Sequence, residues 1–112
     1  MHLGERRSFP RLRADVPVVA VVARSRLLTS GTRVPGRLVD ISVVGMSFSP
    51  SAPLQPGDMV RVAFGGAGAA DVPEAIVIRL TGAPDGTVLC ACRFTEQQCG
   101  LVEHVAQGSD GA

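Results

Sequence analysis

Nowhere in this chain does an apolar run outlast a strand's length before a residue with turn chemistry breaks it. Val16 to Ala23 is a nearly continuous Val/Ala segment after which Arg24 to Thr32 is polar, and Arg33 to Val39 is the next strand-length piece. Met46 to Ser49 resumes beyond the polar turn Asp40 to Gly45, and Pro50, Pro53, Pro56 and Gly57 then mark a long bend. From Met59 to Phe64, the residues Val60, Val62 and Phe64 alternate with Arg61 and Ala63, the period of a half-buried strand. A Gly/Ala loop, Gly65 to Ala70, leads to Glu74 to Thr81, where strict alternation puts Ile76, Ile78 and Leu80 on one face and Val77 and Arg79 on the other. In Ala83-Pro84-Asp85-Gly86, Pro pre-sets φ and Gly supplies the left-handed position, so Thr87 to Phe94 returns antiparallel. Six short strands separated by turns predict an all-β fold, a small antiparallel barrel rather than an open sheet.

The ends of the chain read differently. Met1 to Arg13 is a polar arm with no apolar period, expected to be extended and mobile until something binds it. Thr95-Glu96-Gln97-Gln98 has the spacing of a capping box and predicts a short helix with Leu101, Val102 and Val105 on one side, weakened by Gly100 by up to roughly 1 kcal/mol. Within the second strand, Pro35-Gly36 predicts a bulge or a late start, because proline cannot serve a central ladder. The expected layout is an arm over 1–13, a barrel with its C-terminal helix over 14–108, and a disordered tail over 109–112.

At 112 residues the chain is long enough for one core. No apolar run approaches the ~18 residues of a membrane span and no cleavable leader is visible, so a cytoplasmic location is expected. Net charge is only +1, which argues against bulk duplex binding, yet it is unevenly spread. Residues 1–39 hold eight Arg against Glu5 and Asp15, and residues 40–112 three Arg against eight acids. The N-terminal third is therefore the part that faces an anion. Cys90, Cys92, Cys99 and His104 would make a metal site only on paper, since C-x-C within a strand is not the C-x-x-C knuckle that wraps zinc; the cysteines read as buried structural thiols and no metal is expected.

Chemistry concentrates in two places. In Asp40-Ile41-Ser42-Val43-Val44-Gly45, Asp40 only accepts hydrogen bonds, Ser42 donates and accepts, and Gly45 tolerates close approach, a set suited to the donor edge of a planar heterocycle. Taken alone, these residues read more plainly as local capping of a turn. Near the N-terminus Arg6, Arg7, Arg11 and Arg13 crowd into a few positions. The two patterns together, RxxxR at Arg7 and Arg11 and then DxSxxG at Asp40, Ser42 and Gly45, resemble the PilZ domain family of bacterial cyclic di-GMP receptors, and the resemblance covers nearly the whole chain.

That resemblance implies a six-stranded barrel with its last helix over one opening and the arm lying against the wall beside the turn between the second and third strands. It implies a ligand, cyclic di-GMP, and no other cofactor. Arg7 and Arg11 would fork onto guanine O6 and N7 or onto phosphate, Asp40 would accept from N1–H and N2–H₂, Ser42 would complete these contacts, and Gly45 would leave room for the ring. Arg6 is the position that in the family goes with binding a self-stacked pair, so two ligand molecules per chain are expected, with Arg13 next in reach. Arg79 corresponds more loosely to a strand position whose Trp or Arg stacks on the base; an exposed strand arginine is its plainer reading. The implied role is a receptor that orders its arm on binding and signals to an effector protein in motility, surface polysaccharide or virulence control. The alternative is a small barrel binding RNA or single strands through the arginine arm, disfavoured by a chain with four Phe and neither Trp nor Tyr. An enzyme is not expected, because no base accompanies Asp40 or Ser42.

Overall fold

A computed structural model describes residues 10–64 and 72–111, with side chains as far as residue 106. Its elements are β1 (Leu12–Arg13), β2 (Pro17–Arg24), β3 (Arg33–Ile41), β4 (Gly45–Pro50), β5 (Met59–Phe64), β6 (Glu74–Gly82), β7 (Val88–Phe94) and α1 (Cys99–Gly111). Six strands run in the order β3-β2-β5-β6-β7-β4, and β4 pairs back onto β3, all antiparallel. The sheet is thus closed, which leaves the six strands no open edge. This is the expected barrel. The two residues of β1 pair with β3 outside the ring.

Alternation supplies the core. Val18, Ala20 and Val22 of β2, Val60, Val62 and Phe64 of β5, and Cys90, Cys92 and Phe94 of β7 all point inward and are buried, around Phe48, Leu38 and Ile41. Leu54 from the long bend closes over the same cluster, and Leu101 and Val105 join it from α1, so the apolar side of the helix packs on the barrel.

Local details differ from the sequence reading. Pro35 and Gly36 pair with Val19 and Val18 without a register break. Gly36 answers a different need: a Cβ there would lie 2.5 Å from the Ser49 carbonyl oxygen of β4. The helix does not start at Thr95, whose N–H and hydroxyl both donate to the Glu74 carbonyl and so prolong the β6–β7 pairing. It starts at Cys99, with the Gln98 carbonyl accepting the Val102 N–H at 3.3 Å. At its other end it continues to Gly111, past the expected boundary at Gly108. Cys99 is exposed, whereas Cys90 and Cys92 are buried with sulfurs 3.8 Å apart.

Candidate functional site

The residues that meet at the arm and the β3–β4 turn owe their directions to backbone irregularities. Along β3 and β4 the register runs Leu38 opposite Phe48, then Asp40 opposite Ser47, so Val39 is an extra residue. Leu38 and Ile41, three positions apart, are both buried. Unbroken alternation from Leu38 would have turned Asp40 into the core; the bulge turns it outward instead. A second bulge lies in β6, where Val77 faces Cys92 and Arg79 faces Ala91. Val77 is buried, whereas Ile78 is 49% exposed and Arg79 is exposed too, so Val77 and Arg79 do not share the face that alternation gave them.

Those two bulges align a row across the outer wall. Arg13 stands opposite Asp40, Asp40 opposite Ser47, Ser47 opposite Ala91 and Ala91 opposite Arg79. From Asp40 to Arg79 is three strand spacings, about 14 Å. An acidic acceptor and two guanidiniums thus share one wall, with small side chains between them. Arg13 and Ser47 belong to this row but not to the two sequence patterns, and Ser47 is itself buried, at 6% exposure.

The arm reaches the row through backbone pairing. Leu12 and Arg13 pair with Ile41 and Asp40, Ala14 N–H donates to the Val39 carbonyl at 3.1 Å, and Leu38 N–H donates to the Val16 carbonyl at 2.8 Å. Leu12, Ala14 and Val16 also pack against the core. The last two residues of the expected mobile arm are therefore strand. This seats Arg11 beside Asp40, and the Arg11 guanidinium forms an ion pair with the Asp40 carboxylate, the side chains being 50% and 23% exposed. Arg6, Arg7 and the rest of the arm before Pro10 lie outside the described residues.

Ser42 and Gly45 occupy the turn in another way. Ser42 is only 2% exposed; its N–H donates to the Gly45 carbonyl at 2.8 Å, and its Oγ accepts the Val44 N–H at 3.2 Å. It closes the turn. The next two carbonyls are held from below, Val44 by Phe94 N–H and Val43 by Gln98 N–H, both at 2.8 Å. The turn is thus tied to the start of α1. Gly45 is buried on β4, where a Cβ would lie 2.4 Å from the Cys92 carbonyl oxygen. Its missing side chain makes room for strand β7.

The buried thiols perturb each other. Contact with Cys92 holds the Cys90 thiol below its ordinary range, while Cys90 and burial push Cys92 up. Among the described residues no three His, Cys, Asp or Glu side chains gather as a metal would require, and no helix is long and apolar enough to cross a membrane.

A closed small barrel with an arginine-bearing arm seated on a DxSxxG turn defines a class of protein. The PilZ domain model matches residues 5–107, and the chain belongs to that family. Among solved structures it resembles the Bacillus subtilis inhibitor of motility MotI/DgrA, at 17% identity and a TM-score of 0.66, over 93% of this chain and 49% of that one. It also resembles the PilZ domain with c-di-GMP of Escherichia coli YcgR, at 17% identity and a TM-score of 0.61, over 95% and 90% of the two chains. For YcgR in complex with c-di-GMP the values are 21% and 0.63, over 91% and 43%. At these identities the likeness is one of fold, and the chain spans about half the length of MotI or less than half of that YcgR chain. No curated protein matches the chain.

Proposed function

We propose that this protein is a receptor for cyclic di-GMP, a non-enzymatic bacterial effector acting in the cytoplasm, which holds the nucleotide on the wall between its arm and Arg79 and passes the change to a partner protein. The observation that carries the reading is the meeting of Arg11 and Asp40, 29 positions apart in sequence, on the outer wall of a PilZ barrel. The YcgR structures with c-di-GMP support the choice of ligand.

The chemistry follows from the ion pair. An exposed pair of this kind is worth only ~0–1 kcal/mol, so a ligand can open it at small cost. Asp40, with no donor of its own, then accepts guanine N1–H and N2–H₂, and Arg11 is released to fork onto O6 and N7 or a phosphate. Arg7 supplies the second fork. Arg13 and Ser47 flank Asp40 in the row, and Arg79 stacks on a base at its far end. Ser42 contributes by holding the turn. Arg6 adds the cation that a self-stacked pair of ligands demands, giving two molecules per chain. In this layout residues 1–13 are the clamp and the barrel is its support.

Calorimetric titration with cyclic di-GMP tests the reading. Wild type should bind two equivalents, and Arg11→Ala or Asp40→Ala should lose ~1–3 kcal/mol of affinity while keeping a cooperative thermal transition. Arg6→Leu should move the stoichiometry from two toward one. Unchanged affinity in Arg11→Ala would remove the proposed site, and tighter binding of a single-stranded oligonucleotide than of cyclic di-GMP would favour the nucleic-acid reading.

A further inference from the structure

A second wall of the barrel carries cations that the ligand row does not use. Arg33 of β3 and Arg61 of β5 stand directly opposite Val21 of β2, one on each side, so the three share one outward row. The next row along is Pro35, Val19 and Ala63. Val19, Val21 and Ala63 are half-buried, while Arg33 and Arg61 are exposed and form no ion pair among the described residues. Arg24, exposed at the end of β2, adds a third guanidinium. The carboxylate nearest in register is Glu74, opposite Arg61 at the β6 border. Arg37 is neutralised, its Nε donating to Asp15 Oδ1 at 2.7 Å and its Nη2 to the Asp15 carbonyl at 3.0 Å. An aliphatic centre flanked by guanidiniums without an ion pair among the described residues is therefore presented beside, but apart from, the ligand row, since Arg33 is seven residues from Asp40 along β3, about 23 Å.

We propose that this face of β2, β3 and β5 docks an acidic segment of a partner protein. The segment's apolar side chains cover Val19, Val21 and Ala63, and its carboxylates meet Arg33 and Arg61. The inference rests on the receptor reading above for the existence of a partner, and it adds that partner's chemistry and seat. Charge complementarity selects an acidic occupant, because guanidiniums accept carboxylates as two-pronged partners. The aliphatic centre selects protein over nucleic acid: Phe48, Phe64 and Phe94 are all buried, so among the described residues the face has no aromatic platform on which a base could stack.

The test uses the full chain saturated with cyclic di-GMP, which occupies the arm's cations. The probe is a fluorescent 14-residue peptide with Glu on one side and Leu on the other. Amide resonances of Val19, Val21, Arg33 and Ala63 should shift on titration. The double variant Arg33→Glu/Arg61→Glu should bind about tenfold more weakly or worse, and a Lys version of the peptide should recover affinity for it. This variant, and Arg33→Gln/Arg61→Gln as a milder pair, should bind cyclic di-GMP as wild type does. Shifts confined to the arm or the Asp40 row, equal affinity in the charge-reversed variant, equal binding of a Glu peptide lacking Leu, or displacement by a 12-nucleotide RNA would each overturn the proposal. Failure of the wild type to bind cyclic di-GMP would instead remove the receptor reading, and is measured separately.

Discussion

Single residues of the DxSxxG turn divide into those that hold the fold and those that face outward. Gly45 and Ser42 hold it. Gly45→Ala should cost ~1–3 kcal/mol in denaturant unfolding, because the obstructing atom is a strand carbonyl that cannot swing aside. Gly82→Ala, with nothing within 4 Å of the added Cβ, serves as a control and should stay near neutral. Ser42→Ala removes the acceptor for Val44 N–H and should cost ~1–2 kcal/mol. Its effect on ligand affinity should track that loss of stability rather than exceed it. Asp40 and Arg11 are the reverse case, a half-buried and an exposed charge on the outer wall whose removal should be felt in binding and hardly in unfolding. The thiols separate in the same manner: a disulfide-exchange reagent should titrate Cys99 at once, and Cys90 and Cys92 only at the rate of unfolding.

At the scale of elements, the decisive features are two bulges and a two-residue strand. Deleting Val39 would restore strict alternation and carry Asp40 toward an apolar interior, where an unpaired charge is costly. Such a variant should lose its cooperative transition, or fold with its ligand affinity lost, as calorimetry and thermal unfolding would show. β1 tests the link between arm and ligand. Leu12 packs against the core beside residues that donate to and accept from β3, so Leu12→Ala should loosen the seat of Arg11. Amide exchange at residues 12–14 should quicken and cyclic di-GMP affinity should drop severalfold, with little change in the unfolding of the six-stranded ring.

On the scale of the whole molecule, closure gives the barrel two walls that share β3. One wall presents Arg13, Asp40 and Arg79, the other Arg33, Val21 and Arg61. α1 supports both through Leu101 and Val105 in the common core. Leu101→Ala should therefore cost ~2–4 kcal/mol in global stability, read as a lower melting temperature, while altering ligand affinity only as far as the turn held by Gln98 loosens.

The sequence by itself determined the inventory: strand-length apolar segments, the turn residues between them, an arginine arm, and the paired RxxxR and DxSxxG patterns. All of these depend on local periodicity and residue chemistry, which are visible in one dimension. What only the tertiary structure decided is direction. Whether Asp40 and Arg79 face solvent or core depends on extra residues at Val39 and Ile78, and a bulge is defined by the strand across from it. For the same reason the elements that approach Gly36 and Gly45 were not legible in sequence, and proved to be β4 and β7 running beside them. Thr95 read as a cap until the Glu74 carbonyl claimed its hydroxyl and its N–H. In each case a partner distant along the chain competes with the local preference, and closure of the barrel brings that partner into contact.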